Sequence, residues 1–105
     1  MQLHGIVFDD AAIAQFCNRW KIRDLSLFGS IIRDDFRVDS DIDFLVDFDD
    51  DADPDAFDHM DMEDELASIV GRNVDLVSRS AIQERGNRFY INEILKHAEP
   101  ILAKR

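Results

Sequence analysis

Cysteine occurs once in this chain of 105 residues, so no internal disulfide is available. Cys17 lies among Ile13, Phe16 and Trp20, surroundings that suit a buried structural thiol in a reducing cytosol. No histidine follows it at a spacing that suggests a nucleophile. No apolar run is long enough to span a bilayer, and Met1-Gln2-Leu3-His4 has no basic stretch leading into an apolar one. A soluble cytoplasmic protein is expected. Basic residues are scarce: 12 Lys and Arg face 23 Asp and Glu, a formal charge of −11. Such a chain repels phosphate backbones and anionic membranes, which are held by Lys and Arg, so it is expected to bind neither by itself. It attracts cations and basic protein partners instead. Walker A and GxGxxG patterns are both absent, which removes P-loop and Rossmann readings. There is also no linker, repeat or low-complexity tract apart from one acidic run.

What remains is a chain that is 46% hydrophobic, enough for one core, and residues 1–105 are expected to form a single domain. Asp9 or Asp10 can cap a first helix running to about Arg19, with Ile13, Phe16, Cys17 and Trp20 at helical spacing. Leu25-Ser26-Leu27-Phe28 reads as a short strand. From Ile42 to Phe48, apolar Ile42, Phe44, Val46 and Phe48 alternate with Asp43, Leu45 and Asp47, the clearest strand signal in the chain. Asp53-Pro54 reads as N-cap and first residue of a helix with Phe57, Met60, Leu66, Ile69 and Val70 inward, stopping at Gly71. Val74 to Val77 is a further strand. Two helical stretches follow, the last with a stripe of Phe89, Ile94, Leu95 and Ala98; Pro100 ends it and leaves Ile101-Leu102 as an exposed apolar tail. The fold class is α/β (α+β), a small mixed or antiparallel sheet flanked by helices.

Residues 29–43 carry the chemistry. Gly29 can adopt positive φ and lets backbone approach a phosphate without a Cβ clash. Ser30 adds a hydroxyl donor and can cap a short helix, and Arg33 can neutralise phosphate charge. Ten residues further on, Asp41 and Asp43 stand two apart at a strand entrance, with Cα atoms about 7 Å apart on one face. Carboxylates so placed can converge on a pair of Mg²⁺ ions, a cation that prefers oxygen ligands. Asp75, flanked by Val74, Leu76 and Val77, is the candidate third carboxylate, because a charge among apolar neighbours needs a function or a partner. Arg72 or Arg79 could be that partner instead.

Other features carry less. Asp47, Asp49, Asp51 and Asp53 alternate like calcium-loop ligands, but Ala52 occupies the position where an EF-hand loop needs glycine. The run from Asp47 to Glu65 therefore reads as solvated surface, or as a docking site for a basic partner. His4, His59 and His97 show no ligand spacing and are expected at the surface. Tyr90 reads as a half-buried helix aromatic rather than an acceptor of nucleotide.

Phe28-Gly29-Ser30-x-x-Arg33 followed by Asp39-Ser40-Asp41-Ile42-Asp43 resembles the GS-x10-D-x-D signature of the DNA polymerase β-like nucleotidyltransferase superfamily. Its wording and compact length resemble the minimal nucleotidyltransferases, many of them antitoxins encoded beside HEPN-domain toxins. The resemblance spans residues 20–78, with the C-terminal helices of 79–105 matching more loosely. It implies a minimal nucleotidyltransferase fold and transfer of AMP from ATP, with Mg²⁺ in a two-metal site, to a tyrosine of a cognate, more basic HEPN ribonuclease, in a hetero-oligomer with it. Gly29, Ser30 and Arg33 would then contact the nucleotide, Asp41, Asp43 and Asp75 would hold metal, and Asp75 would assist the acceptor hydroxyl. Asp34 departs from the pattern, since many relatives have glycine after the arginine. Two other readings compete. One is an antitoxin that neutralises its toxin by stoichiometric binding, favoured by the charge and by the apolar tail. The other is a small-molecule nucleotidyltransferase, for which the chain has no second domain to cup an acceptor.

Overall fold

Asp9 accepts hydrogen bonds from the amides of Ala11 and Ala12, capping α1 (Asp10–Arg19). A two-residue pair, β1 (Gln2–Leu3) and β2 (Ile6–Val7), precedes it. The chain then runs through β3 (Ile22–Phe28), a 3₁₀ turn at Gly29–Ile32, β4 (Ile42–Phe48), α2 (Ala56–Val70), β5 (Val74–Ser78), α3 (Arg79–Arg85), α4 (Arg88–His97) and β6 (Glu99–Ala103). The computed structural model describes residues 1–85 and 88–103.

The main sheet has the order β5-β4-β3-β6 and is mixed: β4 pairs in parallel with β5, while β3 is antiparallel to both β4 and β6. The alternation read from β4 holds for Ile42, Phe44 and Val46, fully buried, against partly buried Asp43 and Asp47, but Leu45 on the other face is also buried and Phe48 only partly so. A register shift between Ile22 and Asp24 turns Ile22 inward beside Leu25 and Leu27. This sheet face packs on Ile13 and Phe16 of α1 and on Met62 and Leu66 of α2, closing one core.

Four expectations about the elements need correction. Helix α2 starts two residues after Pro54. Asp55 is its N-cap and forms a reciprocal capping box with Asp58, which fixes the start more firmly than the Asp53-Pro54 pair could. Its inward residues are Met62, Leu66 and Val70. Phe57 lies about 140–180° around the helix from that stripe and Met60 about 120° from its centre, and they are 77% and 60% exposed. On α4, Ile94 and Leu95 are half-buried but Phe89 is 75% exposed. The side chain of Tyr90 lies outside the described residues.

Finally, Ile101-Leu102 is not a free tail. It belongs to β6, with Leu25 opposite Leu102 and Ser26 opposite Pro100, and both apolar residues pack partly buried against the core. Pro100 is tolerated there because β6 is an edge strand, where a missing amide leaves no ladder bond broken. Gly71 does end α2, in the left-handed conformation at φ 73°.

Candidate functional site

The end of β3 and the start of β4 deliver the motif residues to one place. Phe28, the last residue of β3, is the register partner of Asp43, and Asp43 is in turn the partner of Asp75 on β5. Sheet pairing therefore lines up Phe28, Asp43 and Asp75 across three neighbouring strands, with Gly29 next in the chain. Gly29 has φ 75°, and a Cβ there would collide with Oδ2 of Asp43. The glycine is needed both for the turn and for the room that the carboxylate occupies.

Asp41 lies one residue ahead of β4 and is exposed; Asp43 is half-buried. Asp75 is exposed, so its flanking apolar residues do not bury it as the sequence suggested. It pairs with neither Arg72 nor Arg79: Arg72 donates to backbone carbonyls and Arg79 approaches Asp47 at 3.9 Å. Among the described residues, none of Asp41, Asp43 and Asp75 makes a hydrogen bond or ion pair. Burial first, then the negative charges of Asp75 and Asp41, hold the Asp43 carboxyl above its usual range, and Arg33 partly offsets them.

Ser30 lies inside the 3₁₀ turn and does not cap it. The cap position is Phe28, and the Ser30 carbonyl accepts from the Arg33 amide at 2.9 Å. Its hydroxyl has no partner among the described residues. Arg33 is exposed and pairs with Asp35 at 3.1 Å, while Asp34 is exposed and does not line the adjacent cavity. That cavity, of about 680 Å³, is bounded on one side by Phe28, Gly29, Ser30, Ile32, Arg33 and Asp43. The volume lies within the range of small-molecule and cofactor sites. Its opposite wall is α4, through Glu93, Ile94 and His97. Sequence reasoning missed this wall. The only available hint was the Glu93–His97 spacing of four, which sets the two side chains 3.5 Å apart. His97 is exposed, as expected, and also lines the cavity.

Among the described residues, no three Asp, Glu, His or Cys side chains close around a common point tightly enough to hold an ion by themselves. Mg²⁺ is usually held by one or two carboxylates with substrate phosphates and water completing the shell. Asp43, which lines the cavity, with Asp41 and Asp75 near enough for their charges to act on it, offers carboxylates of that kind.

A glycine-serine turn at the end of one strand, facing Asp-x-Asp at the entrance of the next, is the framework of a nucleotidyltransferase. The model of the nucleotidyltransferase domain matches residues 10–101, and the chain belongs to that family, in its minimal, MNT-type branch. It is 31% identical over 77 residues to protein adenylyltransferase MntA of Thermococcus cleftensis, covering 73% of this chain and 76% of the relative. It superposes on a solved minimal nucleotidyltransferase with a TM-score of 0.68 at 28% identity, covering 87% of each chain. It also shares the fold of a toxin–antitoxin structure with AMP-PNP, with a TM-score of 0.69 at 20% identity over 92% of this chain and 75% of the other. The protein is a nucleotidyltransferase. Among the described residues, no helix is long and apolar enough to cross a membrane.

Proposed function

We propose that this protein moves AMP from ATP onto a tyrosine of a HEPN ribonuclease toxin and thereby silences it. The observation that carries the reading is that Asp43, in the wall of a cavity bounded by Gly29, Ser30 and Arg33, is register-paired with Asp75 and feels the charges of both Asp75 and Asp41. The backbone at Gly29-Ser30 and the free Ser30 hydroxyl hold the triphosphate, with Arg33 offsetting its charge. Asp41 and Asp43, with Asp75, hold Mg²⁺, which when bound offsets charge at the α-phosphate. The acceptor hydroxyl attacks the α-phosphorus, its proton passes to Asp75, and the bond to the bridging oxygen breaks to release pyrophosphate. The MntA relative is named a protein adenylyltransferase, and one fold neighbour is a tri-AMPylated HEPN toxin from Shewanella oneidensis in complex with its MNT antitoxin. Both support a protein acceptor here. The toxin is expected to be the more basic partner and to form a hetero-oligomer with this chain.

Incubation of the purified protein with ATP, Mg²⁺ and the protein encoded beside it tests the reading. Mass spectrometry is expected to find AMP on a toxin tyrosine; an unmodified toxin, neutralised all the same, would instead establish stoichiometric binding. The latter reading has lost one support, because the apolar tail on which it partly leaned is an ordered strand of the sheet.

A further inference from the structure

Arg72 is the cation of the short α2–β5 turn, and among the described residues it makes no ion pair. Its guanidinium is given wholly to the loop that leads into the Asp-x-Asp motif. Nη2 donates to the carbonyl of Ser40 at 2.6 Å and to that of Arg37 at 3.0 Å. The guanidinium carbon also lies 4.9 Å from the centroid of the Phe36 ring, and that ring lies 4.9 Å from the ring of His4. The loop is closed on itself as well. The Ser40 amide donates to the Arg37 carbonyl at 3.1 Å, and the Ser40 hydroxyl accepts from the Arg37 amide at 3.0 Å.

The neighbouring residue completes the arrangement, for the Asn73 carbonyl accepts from the Ile42 amide at 2.9 Å. Asp41 therefore sits between a carbonyl held by residue 72 and an amide held by residue 73. This matters because Asp41 precedes β4 and has no ladder pairing of its own, whereas Asp43 is fixed by pairing with both β3 and β5. A carboxylate at the end of an unpaired loop would wander, and a metal site tolerates little such freedom.

We propose that Arg72 is a positioning residue for nucleotidyl transfer: it anchors the loop before Asp41 so that this carboxylate stays converged with Asp43 and Asp75. The inference rests on the reading of these three acids as the metal-holding group. Lysine does not replace Arg72: a single nitrogen makes both carbonyl bonds, but a point charge on a flexible stem lacks the planar group that lies over Phe36 and holds that nitrogen in place.

The test is titration of Mn²⁺ into the full chain with a non-hydrolysable ATP analogue, for wild type, Arg72→Ala, Arg72→Lys, Phe36→Leu and Asp41→Asn. Arg72→Ala and Arg72→Lys are expected to bind Mn²⁺ about tenfold more weakly. Their affinity for the analogue without metal should match wild type, since the Gly29-Ser30 side of the cavity is untouched. In transfer assays kcat should fall with KM for ATP unchanged. Phe36→Leu, which keeps both carbonyl bonds, should show the same split to a smaller degree and serves if Arg72→Ala does not fold. Wild-type Mn²⁺ binding in folded Arg72 variants overturns the inference, as does a loss that only tracks the unfolded fraction. Wild-type Mn²⁺ binding by Asp41→Asn would instead sink the metal-site reading itself, and the positioning role with it.

Discussion

Two regions of this protein are rich in acid, and they handle their charge in opposite ways. Residues 47–65 contain 11 carboxylates and no Lys or Arg, while the rest of the chain balances 12 acidic against 12 basic residues. The whole net charge thus resides in one segment, yet most of its acids are committed. Asp47 approaches Arg79, Asp49 and Asp50 pair with Arg23, and Asp51 pairs with Lys21. Asp55 and Asp58 cap α2. Glu63 accepts from the Leu76 amide at 2.9 Å, and Glu65 takes the Trp20 indole at 2.7 Å together with Arg19. At the other site Asp41, Asp43 and Asp75 have no such partners, and burial together with the charges of Asp75 and Asp41 raises the cost of ionising Asp43. The density of acid does not mark a site; acids brought together and left uncommitted do.

The comparison breaks most visibly in activity. Asp41→Asn or Asp43→Asn should lower AMP transfer by more than about 100-fold, beyond what supporting residues around a metal usually contribute. Asp61→Asn with Asp64→Asn, on the exposed face of α2, should leave the rate within about twofold of wild type. Initial rates with labelled ATP read both.

The next effect separates two glycines of nearly equal backbone. Gly29 and Gly71 have φ 75° and 73°, but a Cβ meets Asp43 at the first and nothing within 4 Å at the second. Gly71→Ala is expected to cost the left-handed strain alone, about 1–2 kcal/mol, seen as a lower Tm with transfer intact. Gly29→Ala should destabilise more and lose transfer, because the carboxylate must move.

Within the acidic segment, Asp55→Ala removes the α2 cap and should cost about 1 kcal/mol. Asp53→Ala, whose carboxylate has no partner among the described residues, should stay within about 0.5 kcal/mol. Urea midpoints distinguish them.

The smallest effect is on pH dependence. The folded state holds Asp43 above its unfolded range, so its contribution to stability is fully present below the unfolded carboxylate range. That contribution is lost as pH rises through the raised folded value. Asp43→Asn should therefore flatten this part of the stability profile and leave the metal-free protein slightly more stable at neutral pH. Thermal melts across mildly acidic to neutral pH, without divalent cations, check the sign.

Local signals were legible in the sequence and tertiary ones were not. Alternation gave β4 with the observed bounds, and the Asp9-Asp10 pair gave the start of α1, with Asp9 the cap. The pairing of Asp43 with Asp75 was anticipated only as chemistry, since register across strands cannot be read from spacing. β6 was hidden because Pro100 reads locally as a helix stop, while its strand character comes from pairing with β3, about 75 residues earlier in the chain. The α4 wall of the cavity was hidden for the same reason: Glu93, Ile94 and His97 gain their role from where the helix packs. The grip of Arg72 on two carbonyls leaves no mark in residue types at all.

The most direct test is a crystal structure of the protein with Mg²⁺ and a non-hydrolysable ATP analogue. The triphosphate is expected along Gly29-Ser30, with an ion about 2.0–2.1 Å from oxygens of Asp41 and Asp43 and of the phosphates. A nucleotide seated elsewhere, or an ion held among Asp47 to Asp55 with Asp41 and Asp43 empty, would contradict the account.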